Sequence, residues 1–444
     1  MASTDEGLLT GVRAGRQRLT MTLTGLLVVP GVALRLAGRA GDLPHPLAAL
    51  LFGVAIVGAA FFLAWAGEVA QLDVSAGLAI ATLAFVAVLP EYAVGLIFAA
   101  KGGHDFHRYG AACRSAAQAA AHLEPTCSLA LANMTGANRL LIGVGWSMVV
   151  FVGWWQWRKR GRRRHATIEL ERSHAVELSY LAVATGYSLT LPLKRSITLV
   201  DAAVLIAVFL AYTVRVSRAP ADPPHLVGPS RWLGTFANRP RRTIVAGLFV
   251  VAAAVILLCA EPFADALVDT GKSFHVSEFL LVQWLAPIAS EAPELLVAGL
   301  FAYRLNTSTG LSTLVSSKVN QWTLLIGTLP VVFAVSSQGL HGLPIAATAR
   351  GEVLLTAAQS VFAVAILVDL RLTALQAASL FGLFWAQFAI GAFVPSSAHG
   401  VERIVVSVLY LALGAGMLVR SRDRIGPVLR DGFRTSYDKL MEGP

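Results

Sequence analysis

The chain has 444 residues, 56% of them hydrophobic and only 14% charged, with a net charge of +10 and a mean hydropathy of +0.65. Soluble globular domains carry about 25% charged residues, so that class is excluded and one polytopic membrane domain is expected. The excess Lys and Arg fall in runs between apolar stretches, as cytoplasmic loops require, and no nucleic-acid-binding signature accompanies them.

The first residues, "MASTDEGLLTGVRAGRQR", are polar and lack the early apolar core and small-residue cleavage site of a signal peptide. A spanning helix needs about 20 mostly apolar residues. Stretches 20–38, 46–67, 74–100, 126–157, 174–191, 198–216, 243–268, 276–303, 309–336, 351–369, 372–394 and 401–419 meet that need, which gives about twelve spans. The densest basic run is "RKRGRRRH" at 158–165, and the 217–242 stretch and the tail from Arg420 are also basic. Twelve crossings from a cytoplasmic N-terminus put all three inside, with both termini cytoplasmic in a plasma (inner) membrane protein. Lys101, Arg108 and Arg114 then fall outside, against the trend. Three cysteines make no disulfide framework. A Cys113–Cys127 bridge requires that the loop between them be extracytoplasmic. Cys259 lies in an apolar run.

The chain divides nearly in half at 217–242, a Pro- and Arg-rich connector. On its two sides, "LPEYAVGLIFAA" (89–100) matches "APELLVAGLFAY" (292–303), and "LLIG" occurs at both 140–143 and 324–327. Five helices within 46–216 therefore match five within 243–394. An odd number of crossings inverts the second copy. Residues 1–45 and 395–444 add one helix at each end and a basic tail. The expected fold is thus an all-α polytopic membrane protein made of two inverted five-helix repeats.

Chemistry concentrates in the matched helices. Glu91 lies about 17 residues into its helix and Glu294 about 18 residues into its own. A carboxylate this deep costs about 2.5–3.5 kcal/mol on insertion scales, which makes it a functional candidate. Pro90 and Pro293 each remove an amide donor one residue before the Glu and free carbonyls about a turn earlier. Those carbonyls and the carboxylates suit a hard cation or a proton. Broken helices are tolerated at this depth where they line a protein cavity.

Pro-Glu in one helix, an Asn-rich helix next, and the pair repeated inverted resembles the calcium/cation antiporter superfamily, to which sodium/calcium and proton/calcium exchangers belong. The motifs are "VAVLPE" (86–91) and "ANMTGAN" (132–138), then "ASEAPE" (289–294) and "LVSSKVNQWTLLIG" (314–327). The resemblance implies that Glu91 and Glu294 are the two essential acids and bind the cation or proton. It implies polar ligands at Asn133, Asn138 and Ser290. Ser317, Asn320 and Gln321, on one helical face, are the nearest polar equivalents in the second repeat. It implies small inorganic cations and membrane lipid as partners, and no cofactor.

Several positions depart from the family pattern. Ala87 and Val88 stand where it places hydroxyls, and Glu291 adds a third acid. Lys318 and Arg139 bring positive charge into the polar helices, where a buried cation needs a partner. On the loss of those hydroxyls and the gain of two positive charges, the sequence favours exchange of a monovalent cation such as Na⁺ for H⁺. The alternative is sodium/calcium or proton/calcium exchange, and a remoter one is an intramembrane enzyme using paired carboxylates. His104 and His107 have loose metal spacing but read as a solvated loop. Trp154, Trp155 and Trp157 read as an interfacial aromatic belt.

Overall fold

In lipid a backbone can satisfy its own N–H and C=O groups only as helix or closed barrel, and this chain does so as helix. The computed structural model describes residues 2–73, 89–120, 124–161, 167–219, 226, 228–274, 278–393 and 399–441. Its main helices are α1 (Ala2–Leu36), α2 (His45–Ala70), α3 (Leu89–Tyr109), α4 (Thr126–Lys159), α5 (Ala175–Ser188) and α6 (Leu199–Val216). After the connector come α7 (Asn238–Phe274), α8 (Glu278–Tyr303), α9 (Thr307–Ser336), α10 (Ala347–Leu367), α11 (Ala374–Phe393), α12 (His399–Arg420) and a short α13 (Arg422–Phe433).

Eight of the described helices are long and apolar enough to cross a membrane, and α8 makes a ninth if its two halves form one span. Three of the twelve expected spans, those containing α3, α5 and α11, fall short of that test. Residues 74–88, which include Ala87 and Val88, lie outside the described residues. Helix α5 has only 14 residues, and the apolar part of α11 runs from Ala374 to Ile390.

The inverted relation of the halves is visible in two small ribbons. Strand β1 (Thr167–Glu169) follows α4 and pairs antiparallel with β4 (Arg371–Thr373), which follows α10. Strand β2 (Ser196–Ile197) follows α5 and pairs antiparallel with β3 (Leu343–Pro344), which follows α9. Since α4 corresponds to α9 and α5 to α10, a two-fold operation exchanges one ribbon for the other. Helices α4 and α9 also share a rarer feature. Each contains a π-helical turn, at Leu141–Trp146 and Gln321–Leu325. Such turns recur at functional sites because they rotate the side chains that follow.

The connector ends sooner than its composition suggests, because α7 begins at Asn238. Its first turns carry Arg241 and Arg242, and both guanidiniums bond Asp73 at the end of α2, at 2.8 and 2.9 Å. The Arg241 hydrogen bond, backed by Arg242, holds the Asp73 carboxyl at about 2, below its ordinary value of 3.8. Its stabilisation is therefore full above pH about 4 and is lost as pH falls through about 2. An Asp73→Asn variant is expected to melt lower at neutral pH and to show a flatter acid limb, read by thermal denaturation in detergent across pH.

Cys113 and Cys127 form a disulfide, with Cα atoms 5.9 Å apart, that ties the loop after α3 to the first turn of α4. The sequence left this bridge conditional on the side of the membrane. Cys259 is free and buried. Thiol titration of denatured, unreduced protein is expected to give one thiol, and three after reduction.

The tail is more than a solvated basic segment. Helix α13 docks on α5: Arg172 donates to both Asp431 carboxylate oxygens, at 2.6 and 3.0 Å. Arg215 donates to the carbonyls of Gly432 and Thr435. Gly432 is needed there, since a Cβ would lie 2.1 Å from the Ser179 hydroxyl. At the end of α4, Trp154 and Trp155 are exposed and carry Arg158 and Lys159 over their rings, as an interfacial belt would. Trp157 is buried instead and belongs to the packing.

Candidate functional site

Helix α8 bends by 55° between its segments Phe279–Ala292 and Glu294–Tyr303. The break falls at Pro293, whose missing N–H cannot close the helical ladder. Glu291 and Glu294 stand on its two sides. Glu91 comes one residue after Pro90, in the first turn of α3. Helix α4 packs against both α3 and α8. It approaches α8 so closely that a Cβ on Gly136 would lie 1.7 Å from the Gln283 carbonyl. Only glycine permits that contact, and it brings the polar face of α4 against the broken helix.

Glu91 and Glu291 are each 2% exposed, and their carboxyls lie near enough to interact. Two buried carboxyls that close repel each other unless one carries a proton. Gln321 donates its Nε2 to Glu291 Oε1 at 2.8 Å. Glu294 lies near enough to both acids for their charges to interact. Lys318 is fully buried and donates to Asn138 Oδ1 at 2.6 Å.

Around this cluster, buried oxygens lack hydrogen-bond partners: Glu91 Oε1, Glu291 Oε2, Glu294 Oε2, Asn133 Oδ1, Asn320 Oδ1 and Gln321 Oε1. Buried polar atoms are ordinarily paired. A group of unpaired hard oxygens is the donor set that a hard cation takes. Among the described residues no three His, Cys, Asp or Glu side chains stand close enough together to hold a metal ion.

Several sequence candidates take other positions. Ser290 Oγ turns back onto its own helix and donates to the Ala286 carbonyl at 3.2 Å. Ser317 is buried on α9, one residue before Lys318. Arg139 turns away from the acids. Its Nη2 lies 2.7 Å from Glu352 Oε2 on α10, its Nη1 donates to Gln387, and its guanidinium covers the Trp284 ring. Glu352 also pairs with Arg403 on α12 at 2.6 Å and accepts from Gln283 at 2.9 Å. Nothing in the sequence marks Glu352, because it lies near the start of its helix where an acid reads as an interfacial charge. His104 and His107 are exposed.

The family model of the sodium/calcium exchanger protein matches residues 45–218 and 244–391. The crystal structure of the H⁺/Ca²⁺ exchanger CAX is 36% identical over 96% of this chain and 99% of that one, with a TM-score of 0.83. The native structure of YfkE superposes at a TM-score of 0.56 with 16% identity over 88% of this chain, a likeness of fold. No curated protein matches the chain. These relatives are membrane transporters rather than enzymes. With its polytopic helices, inverted halves and paired Pro-Glu motifs, the chain belongs to the sodium/calcium exchanger protein family.

Proposed function

We propose that this protein is a secondary active antiporter that exchanges Ca²⁺ for protons at a site built by Glu91, Glu291 and Glu294. The observation that carries the proposal is the close pair of buried carboxyls, Glu91 and Glu291, on helices from opposite repeats. A proton held there must leave before both acids can turn their oxygens to a cation. Proton and cation therefore compete for the same atoms, and that competition couples their fluxes. Rocking of the inverted halves about the midplane then presents the site to each side in turn.

The choice of Ca²⁺ over Na⁺ follows from charge. The monovalent reading needs both Arg139 and Lys318 to oppose the acids, beside the missing hydroxyls at 87 and 88. Arg139 is occupied by Glu352, which leaves three carboxyls facing one ammonium. Fully ionised, that pocket carries two negative charges, which one divalent cation balances. The 36% identity with a proton/calcium exchanger agrees. Asn133, Asn320 and Gln321 supply neutral oxygens. The proposed unit of function is the pair of repeats at 46–216 and 243–394. Both termini are proposed to face the cytoplasm of a plasma membrane protein. The basic runs support this orientation, as does a disulfide in the loop it puts outside, where disulfides persist.

The test is flux in proteoliposomes with an internal pH dye and Ca²⁺, Na⁺ or K⁺ added in turn. Proton release driven by Ca²⁺ is expected. Release driven by Na⁺ or K⁺ and not by Ca²⁺ would restore the monovalent reading.

A further inference from the structure

Lys318 is fully buried in helix α9 with an unusual set of neighbours. Its Nζ donates to Asn138 Oδ1 at 2.6 Å and faces the Asn138 carbonyl at 3.4 Å. It stands over the Trp322 ring, 4.2 Å from the centroid. Among the described residues no carboxylate forms an ion pair with it, although Glu91 and Glu291 lie within range of its charge. A buried ammonium ordinarily needs a carboxylate partner. Here an amide oxygen, a main-chain carbonyl and an aromatic face take that part. Asn138 is oriented for it, because its Nδ2 donates to the Met134 carbonyl at 2.8 Å and leaves Oδ1 facing Lys318.

Main-chain and side-chain carbonyl oxygens beside a broken helix are what coordinate Na⁺ in secondary transporters. We infer that the Lys318 ammonium is a built-in occupant of a monovalent-cation position next to the carboxylates, and that its presence closes this position to Na⁺. The inference rests on the antiporter reading above and adds to it a residue that determines specificity. An uncharged side chain at 318 would leave Asn138 Oδ1 and the Asn138 carbonyl without their cation. It would also make the pocket more negative by one charge, and both changes favour Na⁺.

The test uses K318Q, K318S and K318R in the full chain. Purified protein is melted in NaCl and in choline chloride at matched ionic strength, with and without Ca²⁺. Proton-driven Ca²⁺ uptake is measured in proteoliposomes in the same two salts. Wild type and K318R are expected to show no difference between the salts. K318Q and K318S are expected to melt higher in NaCl, and their Ca²⁺ uptake is expected to change several-fold with Na⁺. Absence of a Na⁺ effect in both K318Q and K318S overturns the inference, whether or not Ca²⁺ still stabilises them. So does Na⁺ stabilisation of the wild type equal to that of K318Q. A wild type that moves no Ca²⁺ against protons defeats the antiporter reading, and the melts still report on Lys318.

Discussion

Glu91→Gln is expected to abolish proton-coupled cation flux while leaving the protein folded and no less stable. Gln keeps the size of the side chain and can still hydrogen-bond Glu291, so the α3–α8 contact survives. What it loses is the ability to release a proton and present a charged oxygen. Substitutions one shell removed from a cation cost about 10–100-fold in affinity, so loss of a direct ligand is expected to cost at least about a hundredfold in flux. The variant also no longer risks burying an ionised acid, a costly state in a site that is 2% exposed. Melting temperature should therefore stay level or rise as transport disappears. Glu294→Gln is expected to behave the same way. Proteoliposome flux with a pH dye and thermal melts in detergent check both variants. A Glu91→Gln protein that still exchanges protons for cations at the wild-type rate would remove Glu91 from the site.

Glu352→Ala is expected to do the opposite, with the larger effect on stability. The carboxylate stands between two guanidiniums, Arg139 at 2.7 Å and Arg403 at 2.6 Å, and also accepts from Gln283. Glu352 and Arg139 are almost completely buried. Removing one partner of a buried ion pair costs about 3–5 kcal/mol, because the charge left behind stays desolvated. Here two cations are left, and α12 loses its polar tie to α10 and α4. A lower melting temperature and aggregation on size exclusion are expected, with Glu352→Gln intermediate since it keeps the shape and one acceptor. Arg139 adjoins Asn138, so the loss should also loosen the seat of Lys318.

Much of this molecule is legible in composition and pattern. Apolar runs near membrane thickness announce helices because lipid offers the backbone no other partner. Pro90–Glu91 and Pro293–Glu294 announce the site because a deep acid beside a missing amide donor costs too much to be incidental. The matching runs 89–100 and 292–303 announce the inverted halves, since sequence similarity survives where both copies do the same work. All of these signals are local, within one helix or between two stretches that can be read side by side.

Pairing across helices was beyond that reading. Arg139 and Lys318 look alike in sequence, each a cation within two residues of an Asn in the matched polar helices. Yet the rotation of α4 turns Arg139 toward Glu352, over 200 positions along the chain, while Lys318 faces Asn138. Glu291 resembles an accessory acid, but folding buries it close to Glu91 of the other repeat. Asp431 and Asp73 look like solvated charges until folding sets Arg172 and Arg241 against them. The residue sequence specifies which groups are present and how deep they lie, because burial in lipid depends on local composition. Which cation neutralises which acid depends on the rotation and crossing of distant helices, and the proposed preference for a divalent cation rests on that assignment.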